Sequence, residues 1–141
     1  MKLVHESEAQ LFQLSDIHTH KATIHSILYT AQAFEELLLR RPFSTITRFH
    51  LGKTLYHLQQ SLNDVHAATT LATIAVITNL TSAASACGDM ETTIKHMDGL
   101  CRILELRGGI APVDTASMIE LKCQRYLIYR IFRSAHLVIL V

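Results

Sequence analysis

The sequence predicts an all-α fold: an antiparallel bundle of five or six helices around one central apolar helix, in a single domain over residues 1–141. Three observations predict it. Hydrophobic residues are 49% of the chain and charged residues 18%, so 141 residues carry enough apolar surface for a packed core. Apolar residues recur at steps of three and four in segment after segment, which is the period of a helix. The breakers Pro42, Gly88, Gly108, Gly109 and Pro112 fall between those segments, where helices stop.

The elements follow in order. Leu3, Leu11, Phe12 and Leu14 suggest a short first helix, with Ser7 and Gln10 at capping-box spacing. Asp16 and the run His18-Thr19-His20 read as a break. A second helix carries Ile24, Ile27, Leu28, Ala31, Phe34, Leu37 and Leu38 as one apolar stripe, the expected buried face. Pro42 disfavours helix at Arg41 and ends it. A third helix starts near Ser44 with Leu51, Leu55, Leu58 and Leu62 as its stripe. Asn63-Asp64 closes it, and Asp64 can cap the next helix by accepting its unpaired N–H groups.

Val65 to Ala86 is apolar nearly all round and is expected to be the central helix. From Val65 to Cys87 it holds 23 residues without Asp, Glu, Lys or Arg, the length of a membrane span. His66, Asn79, five threonines and two serines favour burial in protein instead. The threonines lower helix propensity, and a strand over Leu71 to Leu80 is the rival reading. Gly88 suits a left-handed helix stop, and Asp89 suits the cap of a fifth helix with Glu91 in its first turn. That helix buries Ile94, Met97, Leu100, Cys101 and Leu104, places Arg107 in its last turn and stops at Gly108-Gly109. Ser117 and Glu120 form a capping box for a sixth helix running to about Ala135. Its buried face is expected to hold Leu121, Leu127, Ile128, Ile131 and Phe132. The apolar tail Ala135 to Val141 then packs on the bundle or, in a fragment, drives self-association.

Known chemistry-bearing patterns are absent. Thirteen Lys and Arg against twelve Asp and Glu give +1, so no basic field marks a nucleic-acid binder. The basic groups Lys122, Arg125, Arg130 and Arg133 read as a solvated face. Cys87, Cys101 and Cys123 are odd in number and lack C-x-x-C spacing, which argues against a disulfide framework and for a reducing compartment. The start goes polar at once, with no signal-peptide core. Nine histidines invite a metal reading, but His18, His20 and His25 lack an acidic or thiol partner at a known spacing. His18, His20 and His25 are therefore expected to be solvated; His50, His57 and His66 are scattered with no i, i+4 pair, and no metal or other cofactor is expected. No G-x-S-x-G, H-E-x-x-H or P-loop is present. Cys101 near His96 lies on an apolar stripe, where a thiol is an inert small hydrophobe.

The informative stretch runs from Gly88 to Gly109, GDMETTIKHMDGLCRILELRGG. Its pattern, a Gly-acidic turn followed by H-x-x-G-L-x-R-hydrophobic-x-x-L-R-G-G, resembles the C-terminal regulatory region of fungal-specific transcription factors. Gly88, Asp89, His96, Gly99, Leu100, Arg102, Ile103, Leu106, Arg107, Gly108 and Gly109 carry the match, and Ala83-Ala84 precede it. The resemblance is best over residues 51–133 and weak before Pro42. By their chemistry these residues read as structural: Gly99 as room for a neighbouring helix, His96 as a partly buried, hydrogen-bonded ring, Gly108-Gly109 as a stop.

The departure is as informative. The family's binuclear zinc cluster needs six cysteines and a basic segment, and neither is present. The resemblance therefore implies a non-enzymatic regulatory or interaction module, either a fragment of a longer factor or a relative without the cluster. It implies nuclear placement, otherwise cytoplasmic. The expected partner is a protein, or a second copy met through apolar helix faces, with no membrane contact and no direct DNA binding. The rival readings are a generic helical adaptor and a small ligand-binding or enzymatic bundle using the histidines and Cys101.

Overall fold

A computed structural model of the chain describes residues 2–108, with side chains from Ile17 onward. The elements are α1 (Lys2–Leu38), α2 (Thr45–Leu62), α3 (Val65–Ala68), α4 (Leu71–Ala86) and α5 (Met90–Arg107). No strand is present among the described residues, so the all-α expectation holds and the strand reading of Leu71 to Leu80 fails. The expected sixth helix, the apolar tail, Gly109 and Cys123 lie outside the described residues.

The first correction concerns α1. The expected short helix and the break at Asp16 to His20 are replaced by one helix of 37 residues. Nothing in His18-Thr19-His20 breaks a helix, because Thr19 turns inward and packs against α2, its hydroxyl 3.2 Å from that of Ser61. The helix ends at Leu38 in a turn where Arg40 sits at φ +53°. There the Arg41 N–H donates to Glu36 O at 2.8 Å, which closes the last carbonyls of the helix.

Helix α2 begins where expected. Ser44 is its cap, its side-chain oxygen accepting from the Thr47 N–H. Glu36 on α1 also accepts from the Ser44 N–H at 3.1 Å and from the Thr47 hydroxyl at 2.9 Å. The end of one helix is thereby tied to the start of the next. Residue pairs along the interface, His18 with His57, His25 with His50 and Tyr29 with Phe43, show α2 running antiparallel to α1.

The expected central helix is two pieces. At Thr69-Thr70 the chain leaves helical geometry, and Thr70 is extended at φ −73°, ψ 152°. Hydroxyls replace the helical ladder at the break: Thr70 accepts from the Thr73 N–H at 3.2 Å, and Thr73 donates to Ala67 O at 2.7 Å. Asp64 caps α3 and Thr70 caps α4. Helix α4 lies between α1 and α5. Asn79 donates to the Ser26 hydroxyl at 3.1 Å, and Ala72 lies by Thr19 and Thr23, so α4 runs parallel to α1. Its Ile74, Val76, Ile77, Leu80 and Ala83 form the middle of the core with Leu100, Ile103 and Leu104 of α5.

The buried face of α1 is not its apolar stripe, and on α2 only Leu58 and the half-buried Leu51 of the stripe meet the core. On α1 the inward positions are Thr19, Ala22, Ser26, Tyr29 and Ala33. Ile24, Ile27, Leu28, Phe34 and Leu38 point to solvent, Leu38 at 85% exposure. On α2 the buried set is Thr47, Thr54, His57, Leu58 and Ser61, while Leu55 and Leu62 are exposed. Small inward residues let helix axes approach closely. The buried hydroxyls do not go unpaired, because many donate back to the preceding turn: Thr54 to His50 O, Thr78 to Ile74 O and Thr81 to Ile77 O, each at 2.7 to 2.8 Å.

Candidate functional site

The motif stretch occupies the α4–α5 turn and the length of α5. Gly88 is left-handed at φ +74°, as expected of the residue after a helix. The Gly88 N–H donates to Ser85 O and the Asp89 N–H to Ala84 O, both at 3.0 Å, which is the double bond of a glycine helix stop. Asp89 then caps α5 through the Thr92 N–H at 3.1 Å. Hydrogen bonding from the Thr92 side chain, and then from its N–H, holds the Asp89 carboxyl below its ordinary value, with Lys95 and His96 adding to the shift. At the far end Arg107 lies in the last turn and Gly108 at φ +91° closes the helix.

Between these ends the motif residues divide by face. Leu100 and Ile103 are buried in the core, with Leu100 only 1% exposed. Arg102, Leu106 and Arg107 are exposed, Leu106 at 64%. His96 is half-buried, and burial lowers its pKa while Asp89 pulls it back up. The hydrogen bond expected of His96 is not present among the described residues. Gly99 departs from expectation too. A methyl group added there would meet nothing within 4 Å among the described residues, so this glycine makes room for none of α1 to α4. Ile94, expected inside, is 42% exposed, and Cys101 is half-buried. Among the described residues the motif therefore builds and ends a helix.

The structure brings together residues the sequence left apart. His18 and His25 on α1 are seven residues apart, as are His50 and His57 on α2, so each pair lies on one helix face. Across the interface His18 Nδ1 lies 3.0 Å from His57 Nδ1, and His25 Nδ1 lies 2.9 Å from His50 Nδ1. The rings of His25 and His57 stack at 6.0 Å with 9° between their planes. The four rings make a continuous row, His18, His57, His25, His50. His18 and His25, expected to be solvated, are half-buried and paired, because the antiparallel register of α1 and α2 sets them against His57 and His50. Matching seven-residue spacing on two adjacent helices was the signal that could have revealed the row. No group of three or more His, Cys, Asp or Glu among the described residues is placed to hold a metal ion.

The outer side of α1 carries many apolar groups. Ile17, Ile24, Ile27, Leu28, Phe34 and Leu38 are all exposed on it, with Lys21 and Glu35 exposed on the same face at helical spacing. No helix among the described residues is long and apolar enough to cross a membrane.

Comparison with known proteins places these features. The chain matches the fungal specific transcription factor domain over residues 10–135, a span that reaches well ahead of the motif into α1. No curated protein and no solved structure matches it significantly. The match covers α2 to α5, most of α1 and the Gly-acidic turn and helix that carry the motif, and it ties the chain to transcription regulation. The chain belongs to the family of the fungal specific transcription factor domain.

Proposed function

We propose that this chain is a non-enzymatic protein-interaction module of fungal transcription control, acting in the nucleus through the open side of α1. The observation that carries the reading is the exposed, mainly apolar strip Ile17, Ile24, Ile27, Leu28, Phe34 and Leu38. The two charged groups on this face, Lys21 and Glu35, are of opposite sign, so it offers a phosphate no net positive charge. It suits the apolar face of a helix from another protein, which would remove both surfaces from water at about 25 cal/mol per Å². Scattered exposed apolar residues are ordinary, but a continuous strip along several helical turns is not. Direct DNA binding is not part of the proposal, because charge is balanced at +1 and the cysteines of the family's zinc cluster are absent.

The test is a reporter assay with the chain tethered to a heterologous DNA-binding domain. The wild-type fusion changes transcription from the reporter. The double variant Ile27→Glu/Phe34→Glu, at exposed positions, keeps its helical content and loses the effect. A wild-type fusion with no effect on the reporter refutes the transcriptional role. A charged variant that keeps the full effect refutes the α1 surface.

A further inference from the structure

The row of four histidines lies in the α1–α2 interface, and the composition of that interface makes the row matter. Of the five buried residues of α2, only Leu58 is a hydrophobe; the others are Thr47, Thr54, His57 and Ser61. Apart from Leu58 and the half-buried Leu51, the side chains that α2 turns inward are thus polar, whereas α4 and α5 share an aliphatic core.

Each histidine pair is joined Nδ1 to Nδ1, so one ring must donate and the other must accept. A pair can take up one proton, since an imidazolium still donates to a neutral imidazole. It cannot take up two, because both nitrogens then carry hydrogen and the bond is replaced by repulsion. The row joins the pairs end to end, with ring centroids 5.3, 6.0 and 5.2 Å apart, so charge on one ring opposes charge on the next. The charged groups acting on the two middle rings add to the opposition. They are Lys21 on α1 and Lys53 on α2, and no carboxylate of α1, α2, α3 or α4 acts on His25 or His57 among the described residues. Phe49 and Tyr56 pack their rings on the row and bring no counter-charge.

We infer that the His18–His57–His25–His50 row is a proton-sensitive latch, which holds α2 against α1 while the rings are neutral and releases α2 on mild acidification.

The direction of the effect agrees with the titration of the middle rings. Burial, and then the neighbouring cations, hold His25 and His57 below the ordinary 6.5. The unfolded or released state therefore binds more protons than the latched one. Stability from the row is complete above 6.5 and is lost as the pH falls through the lower values of the latched rings. Histidine is the side chain whose ordinary range places such a change near neutrality.

The experiment uses the full chain. Urea midpoints are measured from pH 7.5 to pH 5.5, and amide exchange of α2 and α4 is followed over the same range after correction for intrinsic rates. The wild type loses midpoint on acidification and takes up protons on unfolding near pH 6. The amides of α2 lose protection before those of α4. The variant His25→Gln/His57→Gln keeps hydrogen-bonding side chains that do not titrate, and its midpoint varies much less with pH. The separate variants His20→Gln and His66→Gln, at exposed positions, retain the wild-type dependence, and His96→Gln removes only its own contribution. Equal pH dependence in the wild type and the double variant overturns the inference. So does joint loss of protection in α2 and α4 in the wild type, a readout that stands even if the double variant does not fold.

Discussion

Two leucines of the family motif, Leu100 and Leu106, sit six residues apart on α5, and the same substitution should cost much at one and almost nothing at the other. Leu100→Ala removes three carbons from a side chain that is 1% exposed and packed in one core cluster with Ile74, Ile77, Leu80, Ile103 and Leu104. The lost transfer energy and the cavity left behind together cost 2 to 5 kcal/mol for such a site, and its near-complete burial places it at about 3 or more. Leu106 is 64% exposed, and Leu106→Ala should lie within about 0.5 kcal/mol of the wild type. Urea unfolding followed by circular dichroism at pH 7.5 measures both. At a slope of about 1.5 kcal/mol per M, the first variant loses roughly 2 M of midpoint and the second almost none. Equal costs for the two leucines, or less than about 1 kcal/mol for Leu100→Ala, would refute the division of the motif into a buried and an open face.

Other substitutions test individual turns. Gly99→Ala should raise stability by up to about 1 kcal/mol, because the new methyl meets none of α1 to α4 and helix propensity improves; a lower thermal midpoint would show a packing role after all. Arg40→Gly relieves a left-handed residue and should gain about 1 kcal/mol, read as a higher urea midpoint. Thr70→Ala deletes the cap of α4 and should cost about 1 kcal/mol, with an unchanged midpoint counting against the cap. Asp89→Ala should destabilise the chain above the ordinary carboxyl value of 3.8. The folded-state value is depressed, so the advantage of the wild type is lost as pH falls through it, and the gap between the two proteins closes in acid. A gap that stays constant down to pH 2 would contradict this.

The turns were legible in the sequence because their causes are local. Ser44, Asp64 and Asp89 cap helices through bonds spanning two or three residues, and Gly88 and Gly108 adopt positive φ where the chain must leave a helix. The all-α class and the buried side of α5 at Met97, Leu100 and Leu104 followed from periodicity for the same reason. The break at Thr69-Thr70 was not legible, since threonines lower helix propensity without stopping a helix; the hydroxyl bonds that replace the ladder there decide it. Periodicity also misassigned the inward face of α1 and part of that of α2. It counts apolar residues around one helix and knows nothing of the neighbours. The tertiary structure buries Ala22, Ser26 and Ala33 on α1, and Thr47, Thr54 and Ser61 on α2. The wide apolar side of α1 is left open as a result. The histidine row has the same origin: each helix carries its two rings seven residues apart, but only the antiparallel register of α1 and α2 sets His18 against His57 and His25 against His50. Sequence determines the local hydrogen bonds and the face each residue lies on; which faces meet is decided by packing between helices distant in the chain.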